Sequence, residues 1–243
     1  MLKNIEYPAR PSGIGLKLGL MLMATMQLAA CDTKADDQLL ASDLVYLKQQ
    51  HGWKKTLKID SWLTFHPDLV RHLRSERVRT MEEGRWDCRF DDGCFETSDF
   101  RLAYDGTRLV SIVEEHTLHG GGAHPITGVT DYLYDLEAHE RIRFGDLFTS
   151  WSKARPLIQE AFCTSLQWDY EDVEKCPDVQ QQAISLASME ETDKAPGFTV
   201  ETQDYALGYY AAGRATIYIQ VNQQILAVIK PEYRSQFEDP DRL

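Results

Sequence analysis

The chain is predicted to fold as an α+β domain, an antiparallel β-sheet meander with helices packed against it. Three features of the sequence predict this. Short runs alternate apolar and polar residues, as half-buried strands do; turn signals such as Asp105-Gly106 separate neighbouring runs; and the helical patterns lie between and beside groups of strands, without one helix per strand.

The elements follow in order. From Asp32 to about Ser42 the chain is polar, as suits a tether, and Leu40, Leu44 and Leu47 stand at the spacing of a short helix. "WKKTLKIDSWLTF" puts Leu57, Ile59, Leu63 and Phe65 on one face of a strand that ends at His66-Pro67. "PDLVRHLRSERVRTMEE" is a helix, with Pro67 in its first turn and Gly84 just past its end. Its arginines, Arg71, Arg74, Arg77 and Arg79, are spread around the helix and are expected to be solvated. "SDFRLAY" and "TRLVSIVEEHTL", joined at Asp105-Gly106, form two antiparallel strands. "VTDYLYDL" and the short "RIRF" complete a meander. "SWSKARPLIQEAFCTSLQ" carries Ala154, Leu157, Ile158, Ala161, Phe162 and Ser165 at helical spacing. A weaker helical pattern covers 178–189. "GFTVET", "YALGYY" and "ATIYIQV" read as three more strands, and "NQQILAVI" as a helix that stops before Pro231. No internal repeat is present.

The first thirty residues differ from the rest. Lys3, Arg10 and Lys17 precede the apolar run "LGLMLMATMQLAA", which is too short for a spanning helix of about 20 residues and has the composition of an export signal. Leu28-Ala29-Ala30-Cys31 matches a lipobox, so Cys31 is expected to carry lipid and to become the N-terminus after cleavage. The membrane is then a partner through that anchor, and several acyl chains hold a protein stably without a helix. The expected layout is a signal at 1–30, a tether at 31–50 and a domain at 51–243, with a strand-helix part at 51–97 and a core at 98–230. The expected location is the periplasmic face of the bacterial cell envelope. Asp32 resembles an inner-membrane retention signal.

Four cysteines remain, an even number suited to an oxidising compartment. Cys88 and Cys94 flank "RFDDG", a turn signal, and are expected to pin a small hairpin; Cys163 and Cys176 are expected to tie a helix to the loop after it. These spacings fit no common zinc pattern. The net charge is −12, a poor surface for nucleic acid and one toward which a cationic protein is steered.

"GGAHP" (Gly121, Gly122, Ala123, His124 and Pro125) follows an apolar strand and precedes an aromatic strand, an acidic turn and "GDLF" at 145–148. Together with "YYAAG" at 209–213, this order resembles the extracytoplasmic domain shared by the anti-sigma factor RsiV and the peptidoglycan deacetylase PdaC. The chain departs from that pattern in the glycine-rich look of its loop, in His119 where an aromatic residue is usual, and in the cysteine hairpin. The resemblance implies an extracytoplasmic binding domain, with a lysozyme as the partner of the anti-sigma member. Neither the anti-sigma segment nor the deacetylase domain is found in the sequence.

"HTLHGGGAHP" leaves two chemistries open. His116, His119 and His124 could hold zinc for a hydrolase acting on cell-wall material. Against this, His116 and His119 are an odd number apart in a strand and point to opposite faces. The other reading is a tight loop in which Gly120, Gly121 and Gly122 allow the turn and the His124 ring secures it by hydrogen bonds. No His-Glu-x-x-His, no Gly-x-Ser-x-Gly and no phosphate-binding glycine loop is present. No cofactor and no catalytic residue is assigned.

Overall fold

The computed structural model describes residues 44–50, 52–83, 88, 93–170, 175–187, 197–208 and 213–237. The export signal, Cys31, the tether up to residue 43, Gly84, the turn between Cys88 and Gly93, and residues 209–212 of "YYAAG" lie outside the described residues.

The architecture is α+β. One sheet has six strands in the order β1 (Val45–Gln50), β2 (Trp53–Ile59), β3 (Cys94–Asp105), β4 (Leu109–His119), β5 (Ile126–Asp135) and β6 (Glu140–Ile142). A second has β7 (Ala183–Ala187), β8 (Gly197–Glu201) and β9 (Thr216–Gln220). β3 to β6 form the expected meander, but β2 and β3 are parallel. The reason is the connection: helix α1 (Pro67–Glu83) carries the chain back across the sheet between them, as a parallel pair requires.

Four expectations need correction. Leu44 and Leu47 do not open a helix: Val45–Gln50 is a strand, so the sheet begins inside the stretch read as tether. The strand read through Phe65 stops at Ile59, where Asp60 accepts a hydrogen bond from the Trp62 amide and starts a 3-10 turn at Ser61–Phe65. The stretch read as helical holds, over its described residues 178–187, a short 3-10 turn and then β7, whose five residues are buried and whose pattern therefore has no period; residues 188 and 189 lie outside the described residues. Residues 204–208 are a turn, not the start of a strand.

Two cores result. α1 lays Val70, Leu73 and Met81 over Leu57, Ile59, Phe100, Val110 and Ile112 on one face of the large sheet. On the other face, helix α2 (Trp151–Asp169) lays Ala154, Ile158, Phe162 and Leu166, all fully buried, against β7 to β9 and the short helix α3 (Gln223–Val228). That stripe has the i, i+4 spacing the sequence shows. The Phe144 and Phe198 rings meet edge-on at 4.9 Å within this core, and Leu186 N–H donates to Ser111 Oγ at 3.1 Å, bringing the small sheet onto the large one.

Both expected disulfides are present. Cys88–Cys94 ties residue 88 to the first residue of β3, and Cys163–Cys176 ties α2 to the following loop. Gln159, one turn before Cys163, donates to Pro177 O and accepts from Val179 N–H, fixing the same loop.

Candidate functional site

His116 and His119 point to opposite faces of β4, as strand geometry requires. His116 Nε2 lies 3.2 Å from Glu96 Oε1 under α1, whereas His119 stacks on Phe95 at 5.4 Å on the other face. His124 is in the loop beyond, its Nδ1 3.0 Å from Pro125 O and its Nε2 3.0 Å from the Tyr205 hydroxyl. The carbonyl can only accept, so Nδ1 carries the proton and Nε2 accepts from Tyr205 in the neutral ring. The three histidines therefore have three separate sets of partners. Among the described residues no group of three or more His, Cys, Asp or Glu is placed to hold a metal.

Of the three glycines in this loop, Gly121 takes a left-handed backbone, with φ 86°, and Gly120 and Gly122 do not. Added Cβ atoms at Gly120 and Gly122 meet nothing closer than 4.0 Å. The expectation that all three are needed for the turn is narrowed to Gly121.

Tyr205 belongs to a loop that closes the outer edge of β5. β6 covers only Leu133 to Asp135 of that edge. Beyond it, the Gln203 carboxamide makes both bonds a strand would make with Val129, accepting from N–H at 2.9 Å and donating to C=O at 2.7 Å. Asp204 accepts the Thr127 N–H at 2.7 Å. Unpaired edges invite association, and these two side chains satisfy this one. Tyr205 follows at φ 66° and is 46% exposed, with its hydroxyl on His124. The two loops thus present a fixed aromatic residue at the rim of a cavity of about 1100 Å³, lined by Arg155, Asp178, Gln181, Gln203, Tyr205 and Leu207.

A second polar cluster was not legible in the sequence. Beneath α1, Arg77 Nε lies 2.6 Å from Ser98 Oγ and 2.9 Å from Glu114 Oε1. Ser98 and Tyr132 each donate to Glu114 at 2.7 Å. Glu96, 3% exposed, faces His116 together with Lys55 at 3.6 Å and Arg77 at 3.7 Å. Burial pushes the Glu96 carboxyl up, but the hydrogen bond and charge of His116, with Lys55 and Arg77, outweigh it, and the group titrates below its ordinary value. Burial, then Glu114, pushes the Tyr132 phenol far above its ordinary range. The helix arginines were expected to be solvated; Arg77 instead turns inward because two carboxylates on β3 and β4 need a counter-charge. The available signal was Glu96 and Ser98 at alternate positions between the buried Cys94 and Phe100. Helix and sheet enclose the cluster, and the cavity beside it, near Arg77 and Tyr132, is only about 50 Å³. Its groups face one another and hold α1 on the sheet, with Glu96 Oε2 and Arg77 Nη2 in ion pairs but without a hydrogen bond. Glu115, adjacent in sequence to Glu114, points to the opposite face and pairs with Arg214 at 2.5 Å.

No helix among the described residues is long and apolar enough to cross a membrane. No family model matches the chain, and no curated protein matches it. Its structural neighbours are DUF3298 family proteins. One, from Pseudomonas aeruginosa PAO1, is 13% identical with a TM-score of 0.46, over 77% of this chain and 91% of that one. Another, from Bacteroides fragilis NCTC 9343, is 14% identical with a TM-score of 0.46, over 73% of this chain and 69% of that one.

Proposed function

We propose that this chain is an envelope lipoprotein, anchored through Cys31 after loss of residues 1–30, whose domain is a binding module for a cationic envelope protein. A muramidase or lysozyme-like protein is the member of that class suggested by the sequence resemblance to the RsiV/PdaC-type domain. Asp32 favours the inner membrane and the periplasmic face.

The observation that carries this reading is the fixed presentation of Tyr205. Its hydroxyl is held by His124, and the loop before it is bonded to β5 through Gln203 and Asp204. An aromatic side chain that is already ordered loses little entropy on binding, which is what a binding anchor needs. The net charge of −12 steers a basic partner toward the domain.

The test is titration with hen egg-white lysozyme at low and high salt. Binding at low salt should weaken as salt rises, because exposed charges are screened beyond about 8 Å at physiological ionic strength. Tyr205→Ala should lower the affinity at least about tenfold, equivalent to about 1.4 kcal/mol. Absence of binding at low salt, or equal affinity of the variant, rejects the lysozyme reading.

A further inference from the structure

The 3-10 turn between β2 and α1 exposes two aromatic rings side by side. Trp62 is 64% and Phe65 69% exposed, with ring centroids 6.3 Å apart. Neither belongs to a core cluster. The turn stands where the chain enters the fold: Ile59 N–H donates to Leu44 O at 2.8 Å, and the turn begins two residues later at Ser61. Val45, 51% exposed, is the next residue after Leu44.

Charge around the rings is compensated in part, although the chain as a whole is strongly acidic. Asp60 accepts the Trp62 amide, Asp68 pairs with Arg71 at 2.8 Å, Asp105 with His66 at 2.9 Å, and Asp99 with Lys58 at 3.7 Å. Asp68 and Asp99 are each matched by a cation, whereas Asp60 and Asp105 accept from a backbone amide and face the His66 ring, respectively. The two ion pairs lessen the repulsion that an acidic protein meets at an anionic lipid surface.

We propose that the Trp62–Phe65 turn docks on the lipid bilayer in which the N-terminal acyl chains are anchored. This rests on the lipoprotein reading. Twelve residues, 32–43, separate Cys31 from Leu44, and thirteen peptide steps reach at most about 45 Å. Anchoring at Cys31 thus keeps the entry point of the domain close to the bilayer, and a contact too weak to recruit a free protein becomes intramolecular. Tryptophan suits the headgroup layer, with an apolar ring and one N–H donor. Trp168 is more exposed, at 82%, but lies at the end of α2, more than one hundred residues further along the chain.

The experiment uses the full chain, expressed with its leader in a bacterium and reconstituted into phosphatidylethanolamine–phosphatidylglycerol vesicles with or without brominated acyl chains. Mass spectrometry of the N-terminal peptide reads acylation separately. In acylated protein the brominated lipid should quench a component of the tryptophan emission that is lost in Trp62→Phe and kept in Trp168→Phe, and Phe65→Ser should shrink it. Equal quenching of the wild type and Trp62→Phe overturns the docking and leaves the lipoprotein reading standing. An unacylated N-terminus overturns both.

Discussion

His124 shows how one side chain can serve two loops. Its protonated Nδ1 closes on Pro125 O and its Nε2 holds Tyr205 from the other loop. His124→Ala leaves these partners without it and should cost about 1 to 3 kcal/mol in urea unfolding, together with part of the affinity measured through Tyr205. Gly121, the glycine of this loop with a positive φ, should be its sensitive one: Gly121→Ala should cost about 1 to 2 kcal/mol. Gly120→Ala and Gly122→Ala, which meet open space, should stay within about 0.5 kcal/mol. Comparable losses at all three positions would show that backbone conformation at Gly121 is not what makes the loop sensitive. His116 also matters more than its place in the sequence suggests, because it faces the buried Glu96. The largest single-residue effect should come from Arg77→Ala. It leaves Glu114 without its cation under α1, while Glu96 keeps Lys55, and should cost about 3 to 5 kcal/mol, the usual effect of breaking a buried ion pair from one side.

At the scale of elements, stability depends on fastenings between distant segments. The Cys163–Cys176 bridge encloses a separation of 13 residues, for which the chain-entropy model gives about 3 kcal/mol. Cys88–Cys94, with a separation of 6, gives about 2 kcal/mol. Replacing each pair with serine should lower the unfolding free energy in that order, and a reversed order would point to native packing, not loop entropy, as the source. Gln203 fastens the loop after β8 to the edge of β5. Gln203→Ala uncovers the Val129 N–H and C=O, and hydrogen exchange at Val129 should accelerate while the amides of β8 and β9 stay protected. If Val129 exchange is unchanged, the carboxamide is not what protects that edge.

For the whole molecule, two buried carboxylates set the acid limit. Asp135 accepts from Arg108 at 2.9 Å, from Tyr233 at 2.9 Å, and from the amides of Glu137 and Ala138, joining the end of β5 to the C-terminal 3-10 turn at Pro231–Gln236. Burial raises its carboxyl, but these bonds, Arg108 foremost, outweigh burial and hold it below the ordinary value; Glu96 is lowered likewise. A carboxylate whose folded value is depressed contributes stability that is complete above its unfolded value. That stability is lost as pH falls through the folded one. Unfolded values are about 3.9 for Asp and 4.3 for Glu, so stability should be insensitive to these groups at neutral pH and fall below about pH 4. Asp135→Asn should be less stable at pH 7 and show a shallower decline toward pH 3. Urea midpoints at pH 7, 5, 4 and 3 check both, and parallel curves for the two proteins would exclude Asp135 as a determinant.

The sequence by itself determined the α+β class, the meander from β3 to β6, helices α1 and α2, and both disulfides. Each is written in a local pattern: a period of two or of 3.6, a turn dipeptide, or a short cysteine spacing. It also separated His116 from His119, since residues an odd number apart on a strand face apart. Only the tertiary structure decided which polar groups meet. Gln203 reaches Val129 and Tyr205 reaches His124 across 74 and 81 residues, and Arg77 meets Glu114 because α1 crosses over β3 and β4. β7 and the turn at Ser61–Phe65 were misread for a related reason. A strand buried on all sides has no alternation, and the Asp60 cap ends β2 while the apolar spacing runs on to Phe65. Local periodicity reports which face of an element is buried, and the partner on that face is chosen by the packing of segments far apart in the chain.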